Sequence, residues 1–223
     1  MTSILAFDIV QFFPSLNHCL LSHILRKASF DPKVKCFFSN YLVGRKTWYC
    51  WNKFSSSFFN VDIGVEQGSA LSPILSALYL ASVLHILKNC LKILKIPIPI
   101  LSFVYNSLLI AQSKSFSVSN SFIFYSHNII SNLLKNFGLI IKHSKMKVFH
   151  FSRSHGGFDP PPLDLSILGG PVLYSKKTWK YLGFIFDRKL IFCQHIDLYV
   201  NKAISSIKYM KILDNSVQGL ISH

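Results

Sequence analysis

An apolar stretch from Leu71 to Leu87 sets the strongest limit on how this chain can fold. It is slightly shorter than the about 20 residues that a helix needs to cross a bilayer. It can be interpreted as a membrane-spanning helix or as a helix buried in a protein core. Its apolar residues wrap more than one face, so we expect burial, with the helix ending between Lys92 and Lys95. Before it, Ser72 is placed to cap the helix and Pro73 to occupy its first position.

The composition fits a folded protein with a basic surface. Half of the 223 residues are apolar and 20 are Phe, which is enough to bury a core and argues against wholesale disorder. This length supports one domain, or one domain with a fragment of another. Lys and Arg outnumber Asp and Glu by 24 to 9, for a net charge of +15. The excess favours a polyanionic partner, with nucleic acid first and an anionic membrane surface second. An ordinary basic domain is the alternative.

The cysteines and the N-terminus point to a reducing, intracellular compartment. The five cysteines form no C-x-x-C pair, and the nine histidines form no ligand-spaced pair with them. Neither a zinc site nor a disulfide framework is therefore expected. The N-terminus lacks the basic segment of a signal peptide and reaches Asp8 early.

Ile100 to Ala111 reads as a buried β-hairpin. Two β-prone apolar runs flank a short polar break, and Asn106-Ser107 suits a tight turn.

Basic and aromatic residues alternate in a second predicted hairpin. We expect a strand from Thr47 to Ser57 and its partner from Phe58 to Ile63. Such interleaving suits a nucleic-acid backbone and its bases, and a surface hairpin with a half-buried aromatic face explains it equally well. The residues are Arg45, Lys46, Trp48, Trp51 and Lys53.

The other elements follow from apolar periodicity and turn residues. A buried strand over Ile4–Ile9 carries Asp8 near its end. A carboxylate there is costly unless it caps, pairs or binds metal. Ser113–Asn120 is predicted as a loop. Helices are predicted over Asn17–Lys27, Pro32–Leu42, Phe122–Phe137 (stopped by Gly138) and His195–Leu213. Strands are predicted at Leu139–Ile141 and Val148–Phe151, with a further hairpin from Val172–Leu173 and Trp179–Phe186.

The order of four motifs resembles the palm of a reverse transcriptase of the non-LTR (LINE-type) retrotransposon class. Phe7 to His18 is similar to the family's motif A, F-D-x-x-x-x-F-x-S-x-x-H, and Gly64 to Pro73 is similar to motif B, G-x-x-Q-G-S-x-x-S-P. Gly138-Leu139 followed by Lys145 resembles motif D, and Lys180 to Gly183 resembles motif E. The resemblance covers nearly the whole chain and explains Leu71–Leu87 as the buried palm helix.

The fifth motif departs from the family pattern. Motif C is F-x-D-D in a hairpin turn, and the matching residues here are Phe103-Val104-Tyr105-Asn106. Polymerases transfer nucleotides with two Mg²⁺ ions held by carboxylates, and neither an amide nor a neutral phenol replaces that anion. Met146-Lys147 also stands where the family commonly has Thr-Glu.

The resemblance implies an α+β fold. We expect a palm-type antiparallel sheet backed by helices, with partial fingers and the start of a thumb. The palm and partial fingers would span residues 1–190, and residues 191–223 would begin the thumb. The chain is expected to be a truncated, decayed retrotransposon copy without polymerase activity. Its partners would be an RNA template and a DNA primer, with no membrane, and its location would be nuclear.

The same resemblance implies roles at the reaction centre. Asp8 would be the remaining Mg²⁺ ligand, helped by the backbone carbonyl of Ile9. Lys145 would act near the triphosphate as a general acid or charge stabiliser. The degenerate motif C positions would be Tyr105 and Asn106. Asp8 could instead be only a capped strand end, and Lys145 only a solvated cation.

Further roles concern the nucleotide and the nucleic acid. Phe13 would exclude a 2′-hydroxyl on the incoming nucleotide, unless it is simply a core residue. Gln67 and Gly68 would pack against the templating base pair. Tyr181, Leu182 and Gly183 would grip the primer. Competing hypotheses are a basic nucleic-acid-binding module without catalysis, a membrane-associated protein, and a chain that does not fold stably.

Overall fold

The computed structural model describes residues 1–152 and 160–214. The α-helices are α1 (His18–Lys27), α2 (Pro32–Leu42), α3 (Ser72–Ile93), α4 (Phe116–Asn136) and α5 (Cys193–Asp214). The longer strands are β1 (Thr2–Asp8), β6 (Ile100–Phe103), β7 (Asn106–Gln112), β8 (Lys147–Phe151), β11 (Thr178–Tyr181) and β12 (Phe184–Asp187). Two-residue strands complete the set: β2 (Lys46–Thr47), β3 (Cys50–Trp51), β4 (Phe54–Ser55), β5 (Phe59–Asn60), β9 (Leu163–Asp164) and β10 (Val172–Leu173).

A four-stranded antiparallel sheet in the order β6-β7-β1-β8 forms the centre of the molecule. Side chains alternate between its two faces along each strand. Leu5, Leu109 and Val148 are buried in the main core, which α3 and α4 share. The α+β fold with an antiparallel sheet backed by helices is therefore confirmed.

The opposite face of the sheet is covered by the β11–β12 hairpin. Trp179 of β11 stacks on Phe149 of β8 with ring centroids 4.8 Å apart, and it packs equally close to Tyr181. These rings form a second, smaller cluster with Leu108 and Phe151. The hairpin thus roofs the face on which Asp8 lies.

The apolar stretch forms α3, but only one side of this helix is buried. Its buried apolar residues include Leu75, Tyr79, Val83 and Leu87, and Ile74 on another side is half exposed. The expected burial is therefore found along one side of the helix only. By length and composition alone, α3 could also cross a membrane.

The start of α3 differs from the predicted cap. The N-cap position is Leu71 and has no side-chain cap; Ser72 already lies in the helix, and its hydroxyl donates to the carbonyl of Glu66. This bond closes the glycine-containing loop onto the helix.

Four further local predictions were wrong. The strand Val172–Leu173 pairs with Leu163–Asp164 and forms no hairpin with Trp179–Phe186, which is a hairpin by itself. The residues from Thr47 to Ser57 do not form one strand: β3 and β4 pair around a turn at Asn52, while β2 pairs with β5. The helix α4 begins at Phe116, because the Ser115 side chain accepts from the backbone N–H of Val118 and caps it. Residues 139–141 contribute one isolated bridge, Ile9 to Ile141, instead of a strand.

Helix α5 is the next element after the β11–β12 hairpin. The carboxylate of Asp187, at the end of β12, accepts from the backbone N–H groups of Lys189, Ile191 and Phe192 and so orders the connection to α5. This helix contacts β12 and exposes Ile196, Ile204 and other apolar residues. The predicted thumb segment extends to residue 223, and residues 215–223 lie outside the described part.

Candidate active site at the end of the sheet

Strand β1 ends at Asp8, as the sequence predicts, and this places the carboxylate beside the central hairpin. Asn106 is its direct partner on β7. Because antiparallel partners project to the same face, the amide of Asn106 lies beside the carboxylate of Asp8, at the position that the resemblance assigns to the second motif C aspartate. The hairpin turn comprises Val104 and Tyr105, so the polar pair Asn106-Ser107 begins β7 and does not form the turn.

Lys145 reaches this point from the segment after α4. The short 3₁₀ helix His143–Lys145 is held against β1 because the N–H of Lys142 donates to the carbonyl of Asp8 at 2.8 Å. The Nζ of Lys145 then lies 2.9 Å from Oδ2 of Asp8. Its hydrogen bond to Asp8 and the charge of that carboxylate raise the pKa of Lys145. The structure thus brings the two predicted catalytic residues together as an ion pair.

These side chains line a cavity of about 290 Å³ between the sheet and its β11–β12 roof. Its polar lining includes Asp8, Asn106, Lys145, Lys147, Lys180 and Tyr181. Burial, and to a lesser extent the nearby charge of Asp8, raise the pKa of Tyr181. The Tyr181 hydroxyl therefore stays protonated in the neutral range and is available as a hydrogen-bond donor.

Two of the lining lysines were given no site role by the sequence. Lys147 is the partner of Ala6 across β1 and β8, which places it on the same face as Asp8. Lys180 belongs to the motif E segment and comes from the roof. Asp8 and Ala6 are two residues apart on β1, so their side chains lie on the same face of the sheet. Sequence reasoning could have placed Lys147 on that face only if the pairing of β8 with β1 had been known.

The divalent ions that the resemblance implies do not fit this lining. Within residues 1–152 and 160–214, no three or more His, Cys, Asp or Glu side chains come together as a metal site. Asp8 is the one carboxylate that the described part of the chain places in the cavity, and Lys145 already engages it. Two Mg²⁺ ions require several anionic oxygens at short, octahedral distances. The N–H of Ile9 donates to the carbonyl of Tyr105 at 3.2 Å, and the role implied for the Ile9 carbonyl stays a prediction.

The segments resembling motifs A and B meet in a close backbone contact. The N–H of Gly64 donates to Leu16 at 2.7 Å, and that of Val65 donates to the carbonyl of Phe13 at 2.9 Å. A Cβ atom at Gly64 would lie 2.6 Å from the carbonyl oxygen of Pro14, so a side chain cannot fit there. Phe13 itself is half-buried against the main core.

The other predicted residues at the motif B loop are Gln67 and Gly68, which belong to it, and Arg45, which pairs with its Glu66. Gln67 and Gly68 are exposed, and Gly68 has a positive φ of 103° with open space around it. Arg45 is drawn into the structure: its guanidinium pairs with Glu66 at 2.6 Å and lies 5.1 Å from the ring of Tyr41. Its predicted contact with nucleic acid stays a prediction.

The other nucleic-acid candidates are on the surface. Lys46 and Lys53 are exposed on the hairpins formed by β2–β5, as are Trp48 and Trp51. Directly after Tyr181, Leu182 and Gly183 form the β11–β12 turn with φ values of 46° and 89°. The predicted primer-grip turn and the aromatic residues thus belong to different two-stranded sheets.

An antiparallel sheet backed on one face by helices, with motif A at the end of one strand and the motif C hairpin beside it, defines the palm fold of nucleic-acid polymerases. Within that class, the family model of reverse transcriptase (RNA-dependent DNA polymerase) matches residues 1–186. The chain belongs to this family. No curated protein sequence matches it.

Solved structures of yeast telomerases share the fold. Apo telomerase from Candida tropicalis has a TM-score of 0.60 at 13% identity, covering 86% of this chain and 32% of that one. The same enzyme in complex with a TWJ fragment of telomeric RNA has a TM-score of 0.58 at 12% identity, covering 86% and 29%. The Candida albicans telomerase, also in complex with a TWJ fragment of telomeric RNA, has a TM-score of 0.52 at 15% identity, covering 86% and 31%. This chain spans about a third of the length of these structures.

Proposed function

We propose that this chain is a reverse transcriptase domain that no longer transfers nucleotides. The observation that carries the proposal is the pairing of Asp8 with Asn106 across β1 and β7. Where the family pattern requires a second carboxylate, this strand presents a neutral amide. The remaining carboxylate is bound to Lys145.

The loss of activity follows from the charge that catalysis needs. Two divalent cations must be held while negative charge builds on the transferred phosphoryl group. Asp8 contributes one negative charge, and Lys145 offsets it in place. Tyr105 adds a phenol and Asn106 an amide, and neither supplies the carboxylate oxygens that Mg²⁺ takes as ligands.

A non-LTR retrotransposon origin is supported by the motif spacing. The motif A segment with His18 and the motif B segment with Ser72-Pro73 follow that class, and His18 bonds the carbonyl of Gly64 at 2.5 Å between the two. An RNA template and a DNA primer are the corresponding partners, and a nuclear location follows from the same origin. Microscopy of the tagged protein tests the location; an exclusively cytoplasmic signal would contradict it.

Primer extension on an RNA template with Mg²⁺ tests the proposal. Three proteins are compared: the unmodified chain, the Tyr105→Asp/Asn106→Asp variant, and that variant with Asp8→Ala. We expect the double variant to incorporate nucleotides at least about a hundredfold faster than the unmodified chain, because it regains the missing metal ligands. The added Asp8→Ala change should abolish that gain.

Two results would contradict the proposal. Mg²⁺-dependent extension by the unmodified chain would show that the present side chains suffice. Inactivity of all three proteins would show that the two motif C side chains do not account for the loss.

A second candidate function is nucleic-acid binding without catalysis. The net charge of +15 and the exposed Lys46, Trp48, Trp51 and Lys53 favour it. Fluorescence anisotropy with an RNA–DNA duplex at rising salt tests it. Affinity should fall linearly on a log–log plot as counterions are released, and absence of binding at low salt would reject the function.

A further inference from the structure

Strand β6 forms one edge of the central sheet, and in the described part of the chain β7 is the only strand that pairs with it. The side chains of Leu101 and Phe103 on this strand are 56% and 58% exposed, although both are large and apolar. Edge strands are commonly protected against pairing by charged side chains. No charged residue occurs from Ile96 to Ser113, so this edge is unpaired, apolar and uncharged.

The register of the hairpin fixes which backbone groups of β6 point away from the sheet. The N–H of Ile110 donates to the carbonyl of Pro99 at 3.1 Å. Since antiparallel strands bond at every second residue, Leu101 and Phe103 also bond inwards to β7. The N–H and C=O groups of Ile100 and Ser102 therefore face outwards, where a further strand would pair with them.

These outward groups are complementary to a second copy of the same strand. When two copies of β6 lie antiparallel about a two-fold axis at Leu101, Ile100 of each copy stands opposite Ser102 of the other, and each such pair exchanges two hydrogen bonds. Leu101 then faces Leu101 of the second copy at a Cα separation of about 4.5 Å. Phe103 projects to the same face, so the axis is surrounded by apolar side chains.

We propose that β6 joins two copies of this chain into a two-fold symmetric dimer in which their four-stranded sheets become continuous. A second copy is favoured over a foreign strand because β6 itself supplies every contact that its partner needs. The copies meet where neither carries charge, despite a net charge of +15 on each. The contact uses neither Asp8 nor Lys145, so it is independent of whether the chain transfers nucleotides.

Sedimentation equilibrium over about 5–200 μM protein measures the dimer, since a contact through one short strand is expected to be weak. Leu101→Lys places two ammonium groups opposite one another across the axis and should weaken dimerisation at least about tenfold. Ile140→Lys is the matched control. Ile140 is 61% exposed, and its segment pairs with the end of β1 on the side away from β7. This change should leave dimerisation within about twofold.

Circular dichroism checks that both lysine variants are folded. A chain that stays monomeric over the whole concentration range would overturn the proposal and leave a foreign strand as the occupant of this edge. Equal weakening by the two variants would also overturn it.

Salt dependence separates this dimer from one that is bridged by bound nucleic acid. Nucleic-acid binding weakens as salt rises, because counterions are released on binding. Salt screens the repulsion between two copies of charge +15, so an uncharged contact should tighten. Dissociation of the dimer between about 0.1 and 0.5 M salt would contradict pairing through β6.

Disulfide trapping tests the register, in a protein whose native cysteines are replaced by serine: Cys19, Cys36, Cys50, Cys90 and Cys193. Leu101→Cys should then form an intermolecular disulfide under mild oxidation, because a Cα separation of about 4.5 Å allows the bridge. Phe103→Cys is the control on the same strand. Its two copies would lie roughly 13 Å apart, which is too far for a disulfide. Equal cross-linking of the two variants, or none in a Leu101→Cys protein that still dimerises, would overturn the proposed pairing.

Discussion

Two places next to β1 differ in how closely they keep the pattern of a reverse transcriptase. At the junction of Pro14 and Gly64, backbone meets backbone, and a Cβ atom on the glycine would lie 2.6 Å from a carbonyl oxygen. At the end of the sheet, Asn106 stands opposite Asp8 with the hairpin pairing intact. An amide has nearly the shape of a carboxylate, so the fold tolerates it. The difference teaches that the chain keeps the close backbone packing of the motif A and motif B segments, whereas in the proposed function the end of its sheet no longer holds a metal site.

The largest expected effect is at Gly64. Gly64→Ala should lower the free energy of unfolding by about 4 kcal/mol, because it combines a clash with backbone and a side chain at φ +84°. Gly68→Ala is the control. It has φ +103° with nothing within 4 Å, so only backbone strain of about 1 kcal/mol is expected. Urea denaturation measures both, and equal losses would show that the junction is not tightly packed.

A buried histidine in α4, one of the helices behind the central sheet, should make the stability of the protein sensitive to acid. His127 of α4 is fully buried, and neither ring nitrogen has a partner in the described part of the chain. Burial and the charge of His143 lower its pKa from 6.5 to about 4. Protonation therefore favours the unfolded chain, and the stability is complete above pH 6.5 and declines as the pH falls towards 4.

Between pH 7 and pH 5, His127 should account for a loss of about 2 kcal/mol in unfolding free energy. His127→Leu should remove that part of the loss, as measured by urea denaturation at both values. His85→Leu, at an exposed histidine on α3, is the control. His150 has a similarly lowered pKa of about 4 and remains in both variants. An unchanged pH dependence in His127→Leu would show that this ring does not titrate in the folded chain.

Which elements the sequence could predict depends on whether their signals lie in their own residues. The helix over Pro32–Leu42 and the stop at Gly138 follow from local signals, a proline at a helix start and a glycine with positive φ at its end, and both are confirmed. The early start of α4 was missed because Ser115 acts as a cap in a run that reads as a polar loop. Local polarity alone does not separate a capped helix start from a loop.

The cavity shows where sequence reasoning stops. The family resemblance assigned Asp8 and Lys145 to the reaction centre and Tyr181 to the primer grip, and the structure places all three around one cavity. Lys147 and Lys180 were not assigned, because their meeting depends on the strand register and on how the roof docks. Contacts between distant segments of this kind are not encoded in local periodicity.

A smaller effect concerns the motif C turn. Val104 is β-branched and has φ +55°, a conformation that such residues rarely adopt. Val104→Gly should raise the free energy of unfolding by about 1 kcal/mol, since relief of strain exceeds the entropy gained by the unfolded chain. Val43→Gly, at an exposed position with an ordinary φ of −89°, should instead be slightly destabilising. A loss of stability in Val104→Gly would show that the turn is held by the Val104 side chain.

The smallest expected effect is at the ion pair itself. The Lys145 side chain is 56% exposed and that of Asp8 is 14% exposed, so solvent screens much of their attraction. Asp8→Asn should therefore change the melting temperature by less than about 2 °C. The same change should return the pKa of Lys145 towards its ordinary value, because Asp8 raises it, and NMR titration of the lysine side chain measures this. A large drop in melting temperature would make Asp8 a structural residue. Packing would then account for the residues at the end of the sheet, as it does at the Gly64 junction. The contrast between the two places would disappear.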